Sequence, residues 1–101
     1  NAVFMPYVLR RNKKVIEEKI ISLSRYLNLE DQTFEGFMNW ILYLRKELSI
    51  PHTLKELIQD DSKFEEMSKM AKNDPSTGGN PITLEIKDFY NLYKDSFSGI
   101  L

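Results

Sequence analysis

His52 is the single histidine, placed between Pro51 and the threonine of a helix-cap signature. An imidazole titrates near neutrality and suits general-base work. That work needs a partner to orient the ring, and the sequence places neither a serine nor an acid to do so. A loop or surface role is the better reading. Carboxylates adjoin at Glu17-Glu18, Glu30-Asp31, Asp60-Asp61 and Glu65-Glu66. A di-iron bundle needs Glu-x-x-His from two helices, which one histidine cannot supply. Solvated helix surface accounts for these pairs, since negative charge near helix starts favours the dipole. With no cysteine, disulfides, thiolate zinc sites and cysteine nucleophiles are excluded.

Arg10, Arg11, Lys13 and Lys14 cluster behind Tyr7. A phosphate-contacting patch is the sharp reading and a solvated helix face the plain one. The charge balance favours the plain one: 14 basic against 15 acidic residues leave a formal net charge of −1, whereas nucleic-acid binders carry a basic excess. No nucleic-acid partner is expected. Ser76-Thr77-Gly78-Gly79 has the composition of a phosphate cradle, but a Walker loop continues Lys-Ser/Thr and here Asn80-Pro81 follows. Two glycines framed by Pro75 and Pro81 mark a fixed, functionally shaped turn.

The elements that must position these residues are helical. Ile16, Ile20, Leu23 and Leu27 recur at one 3.6-residue stripe, with Pro6 requiring a helix start or kink near it and Asn28 closing the segment. A second helix spans Thr33 to about Leu48 on Phe34, Phe37, Met38, Ile41 and Leu48. Trp40, Tyr43 and Leu44 widen its apolar surface beyond one stripe, as for a central or externally covered helix. Thr53-x-x-Glu56 and Ser62-x-x-Glu65 read as capping boxes for two short helices. Thr83 is a plausible cap for a last helix whose stripe, Ile86, Phe89, Tyr90, Tyr93 and Phe97, reads as core. With no sustained alternation, the fold class is all-α, about five helices in one segment over residues 1–101.

At 101 residues, 42% hydrophobic and 29% charged, the composition is that of a single soluble globular unit. No stretch approaches the ~20 apolar residues of a membrane helix and no secretory signal is visible, so a cytoplasmic setting without a membrane partner is expected. The chain opens on Asn1-Ala2-Val3-Phe4-Met5, without an initiator methionine and with an apolar run under way. A piece of a larger protein is expected.

Three motifs, in order, carry a family resemblance. Asn1-Ala2, Pro6, Val8 and Asn12 fit N-A-x-x-x-P-x-V-x-x-x-N. Leu48-Ser49-Ile50-Pro51, then Leu54, fits L-G-I-P-x-x-L with Ser49 in place of glycine. Asp74-Pro75-Ser76-Thr77-Gly78-Gly79-Asn80-Pro81 fits D-P-x-T-G-G-N-P. Over essentially all its length the chain resembles the C-terminal helical domain of the iron-containing alcohol dehydrogenases. The resemblance implies the C-terminal part of a dehydroquinate synthase-like helical domain. The parent enzyme would interconvert a small primary alcohol and its aldehyde with NAD(P) and a divalent metal, iron or zinc. In the family the metal is held by one aspartate and three histidines and the dinucleotide by a Rossmann-like domain. The resemblance places both upstream of Asn1. None of the ligands aligns with this segment, whose partner would be the upstream half of the same polypeptide. By itself the segment would neither hold metal nor catalyse. The 74–81 loop would line the cleft between domains, with Ser76 a lining candidate, or would simply connect two helices. The parent would be a homo-oligomer. The other functional class is an independent helical interaction module, using its grooves and the Arg10–Lys14 cluster.

Overall fold

The structure, a computed structural model, describes residues 2–101; the side chains of Pro75 and Ser76 lie outside what is described. Among the described residues there are four α-helices and no strand: α1 (Met5–Tyr26), α2 (Phe34–Glu47), α3 (Phe64–Asn73) and α4 (Ile86–Ser98). Short 3-10 segments at Leu54–Glu56 and Pro75–Gly79 join them. The all-α reading holds.

α1 begins where Pro6 permits, since a first-turn proline loses no intrahelical bond. It ends in a Schellman closure. Asn28 turns left-handed at φ 55°, and the Leu29 amide donates to Ser24 O at 3.1 Å. α2 is capped by Thr33, whose hydroxyl accepts the Gly36 amide at 3.0 Å. Asp31 in turn accepts the Thr33 hydroxyl at 2.7 Å. α2 closes like α1, with Ser49 at φ 58° and the Ile50 amide on Arg45 O at 3.0 Å. Ser49 therefore occupies the left-handed position that the L-G-I-P pattern gives to glycine.

Two expected caps move. The Ser62 amide donates to Asp60 Oδ1 at 3.0 Å, and α3 starts one residue later, from Lys63, without a side-chain cap. Leu84 is buried and its carbonyl accepts Lys72 Nζ at 2.9 Å. The chain therefore stays extended past Thr83, and Glu85 caps α4, its amide donating to Asp88 Oδ2 at 2.8 Å. At Thr53 the Glu56 carboxylate does accept the Thr53 amide, at 3.2 Å, but it starts a single 3-10 turn rather than an α-helix.

Packing divides the molecule along α1. Toward its C-terminal end Ile20 meets Phe34, Phe37, Met38 and Ile41 of α2. Toward its N-terminal end Tyr7 meets Leu84 and Leu92. Phe64 of α3 is fully buried between Tyr93 and Phe97 of α4, each at 5.7 Å between ring centroids. The aromatic stripe of α4 is core only in part, because Ile86 and Tyr90 sit at its edge and Leu92 and Ser96 are the buried positions. Val3, Pro6 and Tyr7 are buried within this chain, while Met5 between them is exposed.

Candidate functional site

The 74–81 loop is built by its own short-range bonds. Asp74 ends α3 in extended conformation. The Thr77 amide and hydroxyl both donate to Asp74 O, at 3.1 and 2.8 Å, and the Asn80 amide donates to Thr77 O at 3.1 Å. These closures wind Pro75–Gly79 into 3-10 form, as i→i+3 bonding does. Gly78 and Gly79 need no left-handed backbone, and a Cβ at either would meet nothing within 4 Å. Gly78 and Gly79 are both exposed. Ser76, the expected lining residue, has its side chain outside the described residues.

On its other side the loop borders a groove of about 540 Å³. Thr77, Gly79 and Asn80 form one wall, Val8 of α1 and Phe4 just before that helix a second, Phe89 and Tyr93 of α4 a third. A smaller hollow of about 330 Å³, lined by Met67, Met70 and Asp74, shares Ala71, Thr77 and Tyr93 with it. Burial pushes the Tyr93 phenol above its ordinary pKa. The groove offers apolar surface with two hydroxyls at its edge, which suits binding rather than acid–base work.

The loop exit is tied to α1. Asn12 is 3% exposed and its Nδ2 donates to Asn80 Oδ1 at 2.8 Å, while Asn80 Nδ2 donates to Asn12 Oδ1 at 3.0 Å. Asn80 Nδ2 also donates to Ile82 O at 2.6 Å. Both asparagines were visible in the motifs, but no local signal pairs residues this far apart in the chain.

His52 borders a different cleft, of about 470 Å³, with Arg45, Lys46, Ser49 and Glu56. Its Nδ1 takes a hydrogen bond from Arg45, so the ring accepts there and carries its proton on Nε2. Its carbonyl accepts the Tyr7 hydroxyl at 2.6 Å. Arg45, 4% exposed, also donates to Val3 O at 2.8 Å. The imidazole is thus part of a structural knot joining the N-terminal turn, α2 and the following loop. Sequence reading missed Arg45, although it stands on the apolar stripe one turn after Ile41, and a cation on such a stripe is itself the signal.

The basic cluster serves neither reading fully. Arg10 forms a two-pronged pair with Glu35, Lys13 lies 3.8 Å from Glu35, and Arg11 lies 3.6 Å from Asp88 and 3.9 Å from Asp95. Arg10 and Lys13 thus join α1 to α2, and Arg11 joins it to α4. Among the described residues no three His, Cys, Asp or Glu side chains gather to hold a metal, so these residues do not fit an iron site. No helix is long and apolar enough to cross a membrane.

The model of the Fe-containing alcohol dehydrogenase family, C-terminal, matches residues 1–97. Similar proteins include an NADPH-dependent butanol dehydrogenase of Clostridium saccharobutylicum, 28% identical over 98% of this chain and 28% of the relative. A choline dehydrogenase of Bacillus subtilis is 29% identical over 96% of this chain and 25% of the relative. A lactaldehyde reductase of Escherichia coli is 23% identical over 92% and 26%. The chain spans about a quarter of the length of each.

Proposed function

Because this chain belongs to the Fe-containing alcohol dehydrogenase family, over the C-terminal part of its members, we propose that it forms part of the helical domain of a metal-dependent, NAD(P)-linked alcohol dehydrogenase or aldehyde reductase. Its 74–81 loop walls the active-site cleft. The observation that carries this reading is the loop itself. The D-P-x-T-G-G-N-P pattern is hydrogen-bonded at both ends, and among the described residues nothing stands within 4 Å of where a Cβ of Gly78 or Gly79 would lie. An anchored stretch of backbone with open space beside its glycines is what a cleft wall requires when ligand or another domain approaches closely.

In this reading the iron or zinc ligands and the dinucleotide site lie on the rest of the polypeptide, which is the chain's partner. No step of the reaction is assigned to residues of this segment, which alone is not catalytic. Bound metal would polarise the alcohol oxygen and the nicotinamide would accept hydride. The relatives' names, butanol dehydrogenase and lactaldehyde reductase, support a small alcohol or aldehyde as substrate; the proposal takes the full-length polypeptide to be a cytoplasmic homo-oligomer.

The test is metal-dependent oxidation of NAD(P)H with short aldehydes by the full-length polypeptide. Activity lost on chelation and restored by ferrous or zinc ion is expected; absence of turnover with any short aldehyde overturns the reading. Ser76→Phe should shift aldehyde preference toward smaller substrates, and unchanged kinetics would remove Ser76 from the wall.

A further inference from the structure

The loop is a closed piece from Asp74 to Asn80, and on the side a Cβ would occupy, Gly78 and Gly79 meet nothing within 4 Å among the described residues. Its placement therefore depends on what holds its ends. One end continues α3. The other ends in Asn80, whose side chain is fully spent: Oδ1 accepts from Asn12, and the two Nδ2 hydrogens go to Asn12 Oδ1 and Ile82 O. Asn12 is itself an uncommon choice, an amide buried in the middle of α1. Asparagine is a mediocre helix former, and a buried amide is costly unless bonded. Its observed partner is Asn80, 68 positions away.

We propose that Asn12 and Asn80 are positioning residues. Their reciprocal amide pair latches the exit of the 74–81 loop to α1 and so sets where the cleft wall stands. This rests on the reading of the loop as a wall. The pair is specific to two amides. Aspartate at position 80 keeps an acceptor but loses both donations and sets a carboxylate against Ile82 O.

The experiment compares Asn12→Ala, Asn80→Ala, the double variant and Asn80→Asp in the full-length polypeptide, by amide hydrogen exchange and by aldehyde kinetics. Each single alanine variant should speed exchange at the Thr77 and Asn80 amides by roughly ten- to hundredfold, the cost of one or two buried bonds. Amides of α2 should be unaffected. The double variant should be no faster than the worse single one, since the pair is already broken. In the kinetics, KM for short aldehydes should rise about tenfold while kcat stays within about twofold, a split that general destabilisation would not produce. If Asn12→Ala fails to fold, Asn80→Asp at the less buried end carries the same readouts. Unchanged exchange in the loop, equal acceleration throughout the chain, or additive losses in the double variant would overturn the latch. Loop exchange that responds as expected while KM and kcat both stay unchanged would also overturn it as a positioning device. A full-length polypeptide that reduces no aldehyde overturns the proposed function instead, and the exchange comparison then decides the latch alone.

Discussion

Single positions explain several family-pattern residues and one departure from the pattern. Ser49 holds a left-handed φ of 58° where the resembling motif has glycine, and a side chain there costs roughly 1–2 kcal/mol. Ser49→Gly should stabilise the chain by about 0.5–1 kcal/mol after the added unfolded-state entropy of glycine is subtracted, read as a higher urea midpoint at constant slope; a lower midpoint would refute the argument. Glycines divide the same way. A Cβ at Gly36 would stand 2.2 Å from Asp31 O, so Gly36→Ala must displace the Asp31–Thr33 cap and should cost at least about 1–3 kcal/mol. Gly78→Ala meets nothing within 4 Å and should leave stability unchanged or up to about 1 kcal/mol higher. Equal effects at the two sites would show that the Gly36 contact is not the reason for that glycine.

Between elements, charge does much of the stapling, and its pH dependence has a definite sign. The Arg10 guanidinium hydrogen-bonds Glu35 and, with Coulomb help from Arg10 and Lys13, holds its carboxyl below the usual 4.5. A carboxyl whose folded pKa is depressed contributes stability that is present above its unfolded value and lost as pH falls through the folded one. The α1–α2 staple should therefore be intact at neutral pH and fade below about 4.5. Glu35 is half exposed, so the effect is no more than about 1 kcal/mol. Glu35→Gln should lower stability at neutral pH and flatten the acid limb of a stability–pH profile; an unchanged acid limb would assign it to other carboxylates. The same elements carry the corrections to sequence reading. Capping boxes at Thr53 and Ser62 look alike in sequence, but the Thr53 amide finds Glu56 three residues on, whereas the Ser62 amide turns back to Asp60 and the helix starts at Lys63. Thr83 failed as a cap because the burial of Leu84 fixed the chain extended beyond it.

The whole molecule is a flat slab of 41 × 28 × 19 Å with a radius of gyration of 14.3 Å, slightly larger than the ~13 Å of a compact chain this long. Its accessible surface of 6871 Å² also exceeds the roughly 6000 Å² expected for a compact monomer of this mass. Large apolar side chains contribute to that surface. Tyr43 of α2 and Leu48 just after it are 62% and 63% exposed, Leu57 59% and Met70 67%. The isolated 101-residue chain should accordingly self-associate or melt at low temperature with concentration dependence. A sharp, concentration-independent melt with monomeric sedimentation would contradict that.

The all-α class, the main span of α2 and the turn-rich 74–81 loop followed from the sequence because periodicity, capping side chains and Gly/Pro content act over a few neighbouring residues. Motif order likewise carried the family, since it needs only residue types at intervals. What depended on distant residues had to await the folded chain. Burial of Val3 and Tyr7, the Arg45–His52–Tyr7 knot, the pairing of Arg10 and Arg11 with α2 and α4 and the Asn12–Asn80 pair all join positions far apart in sequence. Side-chain types state what each group can donate or accept; only the packed helices decide which partner comes within 3 Å of it.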